Sequence, residues 1–246
     1  SLFLNKETTV FSEKDATWQE IQSPPGMRSH IVLPDGSDLW LNAESKIRYS
    51  IPFIRERRHV ELEGEAFFEV AQNTKSPFVV YAGDAGVLAT GTEFNVKSYS
   101  GDPTIEVALK EGSVDVYYTN ENEKRVFTTL QPNDYLVLNK STQKAVRENR
   151  SLNKYIMWHR NIMYFDETPM KEVATTLERW YGIKVNIAGP EIYKYKITTT
   201  FENESLFRVL ELLELSSPIE INYTRGKINQ QSNKTTKSVV TITKKN

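Results

Sequence analysis

From Ser29 to Lys140 the chain shows no helical period, only short runs of alternating apolar and polar residues cut by turn residues. "HIVLPDGSDLWLN" predicts two strands around Pro34-Asp35-Gly36: proline presets φ, Asp35 tolerates the turn and Gly36 supplies positive φ. "HVELEG", "EAFFEVA", "FVVYA", "EFNVKSY", "TIEVALKEG", "SVDVYY", "RVFTTL" and "DYLVL" continue the pattern. Asn73-Thr74-Lys75, Gly83-Asp84, Gly101-Asp102-Pro103 and Pro132-Asn133 are among the turn signals between them. Many short strands without a helix predict a mainly β region, an antiparallel β-sandwich or roll.

The stretch "VELEGEAFFEV" tests what its carboxylates are for. Alternate strand residues share a face, so Val60 and Leu62 point inward while Glu61 and Glu63 face away. Gly64 is read as a turn between two strands. Ala66, Phe68 and Val70 then point one way, and Glu65, Phe67 and Glu69 the other. The glutamates fall where solvent is expected. Two carboxylates become an acid/base pair only when burial drives their pKa values apart.

After Tyr155 the period changes. "DETPMKEVATTLERWYG" carries Met170, Val173, Ala174, Leu177 and Trp180-Tyr181 at helical spacing, with Thr168 as expected N-cap, Pro169 opening the helix and Gly182 closing it. Replacing that cap with Ala is expected to cost about 1 kcal/mol. The strand "IKVNI" follows, then the helix "ESLFRVLELLEL" with Asn203 as expected cap, then "IEINY". A shift of 36 residues (165 to 201) lays Phe165 on Phe201, Val173 on Val209, Leu177 on Leu213, Glu178 on Glu214, Ile183 on Ile219 and Asn186 on Asn222. This is a duplicated β-α-β unit closed by the strand "SVVTIT", with a polar hairpin loop from Gln230 to Lys237. The polar "STQKAVRENRSLN" between Lys140 and Tyr155 marks the boundary.

Lys and Arg total 31 against 32 Asp and Glu, which argues against broad electrostatic capture of nucleic acid or anionic membrane. The absence of cysteine excludes disulfides, thiolate metal sites and cysteine nucleophiles. No apolar run approaches the roughly 20 residues needed to span a bilayer. There is no P-loop, G-x-G-x-x-G, H-E-x-x-H or G-x-S-x-G. His59-Val60-Glu61 could offer two metal ligands on one face, but a site needs more. "RERRH", Arg55 to His59, reads as a solvated loop before a strand rather than a phosphate patch. Trp40, Trp158, Trp180 and Tyr181 could stack on sugars, although aromatics at such spacing are usually core. No catalytic, cofactor or metal site is expected.

The informative surface is the edge of the small C-terminal sheet, since an edge strand offers unpaired N–H and C=O groups to a partner. "IKVNI", "IEINY" and "VVTIT" are β-branched and short of prolines, so one of them at the edge could accept a partner strand, the competing reading being an edge blunted by charge at Lys184, Glu220, Lys244 and Lys245. Lys184, Val185, Asn186, Ile219, Ile221 and Tyr223 are the expected partner-binding residues.

The ordered motifs "LPDGSDLWLNAESKIRY", "RRHVELEGEAFFEVAQNTKSPFVV", "LATGTEFNVKSY", "VALKEGSVDV", "LQPNDYLVL" and "WHRNIMYFDETPMKEVATTLERWYGIKV" resemble the periplasmic region of the FecR family of transmembrane anti-sigma factors, from about Trp18 to Thr243. The resemblance implies a membrane-side linker over 1–28, partly extended, an all-β domain over 29–150, and a domain over 155–246 like the short N-terminal (STN) domain of secretins and TonB-dependent receptors. It implies no enzymatic activity and no cofactor. Its implied partners are the periplasmic signalling domain of an outer-membrane TonB-dependent transporter and, through a cytoplasmic segment, an extracytoplasmic-function sigma factor. The full-length protein is then expected to cross the inner membrane once. A carbohydrate-binding β module that senses a glycan directly is the alternative. One departure is Asn161, where relatives carry Gly between Trp158 and Phe165; Asn tolerates the left-handed region, so the turn is expected to survive.

Overall fold

The computed structural model of the chain describes residues 16–53, 58–229 and 234–245. They form two compact units. One holds the described residues up to Gln22, His30–Trp40 and Ser45–Arg150; the other holds Ser23–Ser29, Leu41–Glu44 and the residues from Ser151 onward.

The first unit is mainly β. Its strands are β1 (Thr17–Ser23), β2 (Ser29–Val32), β3 (Asp38–Leu41), β4 (Ser45–Ile51), β5 (Arg58–Glu69), β6 (Phe78–Ala82) and β7 (Ala85–Ala89). Then come β8 (Glu93–Ser98), β9 (Thr104–Glu111), β10 (Val114–Thr119), β11 (Arg125–Leu130), β12 (Asp134–Asn139) and β13 (Ala145–Asn149). All thirteen join one mixed sheet whose main path runs β11-β10-β7-β6-β5-β8-β9-β12-β13, with β4 and β3 also pairing to β5. The polar stretch before Tyr155 therefore contributes a strand, β13, with Val146 and its neighbours to Asn149 exposed. Arg147 Nη1 donates to the Thr129 carbonyl at 3.1 Å, so the sheet curls until its end strands lie within one side chain's reach. The β5–β6 pairing in this sheet is parallel.

The "VELEGEAFFEV" stretch differs from the expectation of two strands and a turn. It belongs to one twelve-residue strand, β5. Gly64 bends that strand at φ 105°, and a Cβ there would sit 2.3 Å from Ser45 Oγ. The hydroxyl of Ser45 fills the bend and accepts from the Glu65 N–H at 2.9 Å. Before Gly64 the strand runs between β4 and β6; after it, β5 pairs with β8. Because the two halves serve different parts of the curled sheet, the second half is covered on both faces. Phe67 and Phe68 are both fully buried. The Phe68 ring stacks on Phe94 (5.1 Å) and meets Phe78 edge-on (5.9 Å), while Phe67 lies against Trp40 (6.0 Å). Glu65 is thus buried, contrary to the solvated-face expectation, and accepts from Asn95 Nδ2 at 2.9 Å. Glu61 and Glu63 do face solvent, beside Arg48 (3.3 Å) and Lys46 (3.5 Å) across the ladder.

Of the basic cluster, Arg55 to Arg57 lie outside the described residues. Arg58 is not on a solvated loop. It is 4% exposed and pairs with Asp35 at 2.6 Å. It also donates to the carbonyls of Ser76 and Ala71, at 2.8 and 2.9 Å. Asp35 is therefore more than a turn former: it neutralises a buried guanidinium.

The second unit contains α1 (Asn153–Ile156), β14 (Ile162–Pro169), α2 (Met170–Tyr181), β15 (Lys184–Ala188), β16 (Lys196–Glu202), α3 (Leu206–Ser216) and β17 (Ile219–Thr224). The short hairpin strands β18 (Ile228–Asn229) and β19 (Lys234–Thr235) lead to β20 (Val239–Lys244); residues 230–233 of the expected hairpin loop lie outside the described residues. The first strands of the two repeats, β14 and β16, pair with each other, and the second strands flank the shared β20 in the order β15-β20-β17. Phe165 and Phe201 meet edge-to-face at 6.3 Å. Val173, Leu177, Val209 and Leu213 bury the helices' apolar stripes against them.

Both expected caps shift. Thr168 lies in β14, where its Oγ1 accepts from the Asp166 N–H across a register shift between Phe165 and Thr168. The helix opens two residues later, with the Met170 N–H bound to the Tyr195 carbonyl at 2.8 Å, so a neighbouring backbone replaces the side-chain cap. In the second copy Ser205, not Asn203, caps α3 by accepting from the Arg208 N–H. Asn203 instead adopts φ 53°, as its repeat equivalent Glu167 adopts φ 47°. Gly182 closes α2 in the left-handed region at φ 66°, as expected. Asn161 holds φ 61°, so that turn survives without glycine.

Candidate partner-binding surface

The three-stranded sheet has two edges, and the expected contact residues divide between them. Lys184, Val185 and Asn186 lie on β15; Ile219, Ile221 and Tyr223 lie on β17; β20 separates the two sets. Lys184 and Asn186 are exposed, and Val185 and Ile221 pack partly into the core. Ile219 is 1% exposed and belongs to the core. Tyr223 is 37% exposed and donates its hydroxyl to Ser238 at 2.9 Å.

Each edge carries the same device. The Val185 N–H points away from β20 and donates to Glu178 Oε1 of α2 at 2.8 Å. Thirty-six residues on (185 to 221), the Ile221 N–H donates to Glu214 Oε1 of α3. A carboxylate one helix away thus occupies a backbone donor that a partner strand would need. The sequence repeat carried this signal in Glu178 and Glu214, although not its purpose.

Outside the edges the two copies diverge. Between Phe165 and Ala188 the first copy mixes Lys171, Arg179 and Lys184 with four acidic residues. The second, from Phe201 to Thr224, carries Glu202, Glu204, Glu211, Glu214 and Glu220 against Arg208 alone. From Met170 to Ala188 no large apolar side chain is exposed, whereas in the second copy Phe207 (62%), Leu215 (75%) and Tyr223 are. Phe207 and Tyr223 meet edge-to-face at 5.0 Å. Sequence reasoning passed over Phe207 and Leu215 because they sit on the polar side of an amphipathic helix. Laying the copies side by side could have found them, since they stand where the first has Lys171 and Arg179.

The first copy is also tied down by a strap of residues from early in the chain. The Gly26 N–H donates to the Arg179 carbonyl at 3.2 Å. The Arg28 guanidinium lies 3.9 Å over the Trp180 ring and donates to Asn161 Oδ1 at 2.6 Å. Burial lowers the Arg28 pKa, with Tyr181 opposing. The Tyr181 phenol is pushed up to about 12, chiefly by burial; Arg28 pulls the other way and Glu204 adds to the rise. A groove beside β15 is lined by Glu178, Arg179, Lys184, Lys237 and Glu44, with Lys237 and Glu44 paired at 2.9 Å.

In the first unit, His59 lies between the rings of Trp18 (5.6 Å) and Tyr81 (6.0 Å). Among the described residues no group of three or more histidines and carboxylates is placed to hold a metal ion. Trp158 is buried, and Trp40 stacks on His30 at 4.6 Å. Among the described residues no helix is long and apolar enough to cross a membrane.

Comparison with known proteins agrees with this architecture. A family model described as "FecR protein" matches residues 19–115, and one described as "FecR, C-terminal" matches residues 162–230. A search of curated proteins finds no match. A 1.65 Å crystal structure described as a candidate anti-sigma factor from Parabacteroides distasonis ATCC 8503 is 29% identical, with a TM-score of 0.76. That match covers 93% of this chain and all of the other. A second crystal structure of an equally described protein from the same organism, at 2.50 Å, gives 29% identity and a TM-score of 0.75, covering 94% of this chain and all of the other.

Proposed function

This chain belongs to the FecR family of anti-sigma regulators, a non-enzymatic family, and on that premise we propose that it is the periplasmic signal-relay region of a single-pass inner-membrane protein. The partner in the periplasm is the signalling domain of an outer-membrane TonB-dependent transporter. Substrate binding by the transporter is passed through this chain to an extracytoplasmic-function sigma factor, reached through a cytoplasmic segment of the full-length protein. The observation that carries the reading is the small sheet of the second unit, whose outer strands β15 and β17 each pair on one side only among the described residues. The test is deletion of residues 155–246, followed by calorimetric titration with the cognate transporter's signalling domain. Loss of binding is expected; undiminished binding would move the contact to the β-rich unit.

One observation favours a second reading, direct binding of a glycan. Trp18 and Tyr81 are each 38% exposed, and Tyr81 lines a groove with Glu20, Arg48 and Glu61. Two of the polar groups there are already engaged, since Arg48 stacks on Trp18 at 4.3 Å and bonds to Glu61. Glycan-array binding lost in Trp18→Ala, with no protein partner present, would establish this reading over the relay.

A further inference from the structure

Resting on the relay reading, we propose that the β17 edge, not the β15 edge, receives the partner, as an added β-strand that alternates apolar with basic residues. The two edges share a fold and differ in dress. In an antiparallel ladder alternate residues direct both backbone groups at the neighbouring strand. The Ile221 N–H is bound to Glu214 rather than to β20, so Ile219, Ile221 and Tyr223 direct theirs away from β20, the Ile219 N–H being held by the Ser217 carbonyl at 2.8 Å. Phe207, Glu211, Glu214 and Leu215 fall on one stripe of α3 beside this edge, at the three- and four-residue spacing that aligns side chains. The Phe207–Tyr223 pair offers an exposed aromatic anchor of the kind that dominates protein interfaces.

Charge decides the occupant. A strand that pairs with Ile221 must take the N–H now held by Glu214, which releases a carboxylate at the new seam. An incoming Lys or Arg would pair with it; an incoming Asp or Glu would face that released carboxylate, while Glu211 on the same stripe is already paired with Arg208 at 2.7 Å. Glu214 is thus both a plug on the free edge and a selector of what replaces it. Glu178 plugs β15 in the same way, but there Arg179, Lys184 and Lys237 line the same groove, without an exposed apolar anchor.

The test uses the whole chain, isotopically labelled, with two synthetic octapeptides as probes: one alternating Val and Lys, one alternating Val and Glu. The Val-Lys peptide is expected to shift the Ile219, Ile221 and Tyr223 amide signals, and the Val-Glu peptide to leave them in place. In Glu214→Gln the two peptides should bind within about twofold of each other. Shifts confined to β15, or equal response to both peptides in the unaltered chain, would overturn the proposal. A second arm titrates the cognate transporter's signalling domain into Phe207→Ser/Tyr223→Thr and into Lys171→Ala. The first is expected to bind roughly tenfold or more weakly and the second as the unaltered chain does. Equal binding by both variants would sink the edge assignment and leave the relay standing. No binding by the unaltered chain, with the peptide shifts intact, would sink the relay and leave the edge chemistry standing. Phe207 and Tyr223 are exposed, and an unchanged amide spectrum elsewhere verifies that the double variant folds.

Discussion

Asp35 shows how a residue can be read correctly and still be underread. Its place in Pro34-Asp35-Gly36 announces a turn, and the turn is there between β2 and β3. Its carboxylate, however, meets Arg58, which is remote in sequence and nearly fully buried. Removing one partner of a buried pair strands the other, so Asp35→Ala should destabilise the first unit by about 3–5 kcal/mol in a denaturant titration. A change within half a kcal/mol would mean that the guanidinium is served by the carbonyls alone. Tyr181 makes a second residue-scale prediction. Its hydroxyl donates to the Glu204 carbonyl at 2.9 Å, an arrangement that only the neutral phenol can keep. A phenol whose pKa rises on folding favours the folded state while neutral. That contribution is complete below its ordinary value of 10.0 and is lost as pH climbs towards 12. Difference absorbance between the chain and Tyr181→Phe should therefore show one phenol titrating last; a midpoint near 10 would refute its burial.

At the scale of elements, helix identity was plain in the 3.6-residue spacing of Val173, Leu177, Val209 and Leu213, because each helix buries one stripe. Helix beginnings were not plain. Thr168 has the chemistry of a cap, but β14 needs it for a bulge, and the Tyr195 carbonyl serves the helix instead. Sequence shows which side chains could cap; it does not show which backbone arrives first. Ser205→Ala should cost about 1 kcal/mol in thermal unfolding of the second unit, as expected for a true cap. In Asn203→Ala the loss should come from forcing Ala into φ 53° and from losing the hydrogen bond that Asn203 Oδ1 accepts from Asn161 Nδ2, so Asn203→Gly should relieve the first part and leave the second. Strand β5 makes the same point. Alternation located Val60 and Leu62 correctly, yet it assigned Glu65 to solvent because it assumed one covered face. The bend at Gly64 hands the strand to a second part of the sheet, and both faces are then covered.

At the scale of the whole chain, the second unit recruits Ser23–Ser29 from more than a hundred residues upstream. Arg28 supplies a cation over Trp180 and a hydrogen bond to Asn161. A fragment beginning at Ser151 lacks both, and should be less stable than the second unit of the whole chain by at least the roughly 1–2 kcal/mol expected of Arg28→Ala. Urea unfolding followed by Trp fluorescence checks this, and a fragment as stable as the whole would show that the strap contributes nothing. The sequence by itself determined that the chain is β-rich and then duplicated, since period and repeat are local properties written in the order of residues. It also determined the family, through motifs spread along most of its length. Tertiary structure alone decided that the repeats exchange their strands between two sheets, that Glu178 and Glu214 plug opposite edges, and that only one edge carries an exposed aromatic pair. Those facts depend on which surfaces meet, and burial is a property of neighbours brought together in space rather than of position along the chain.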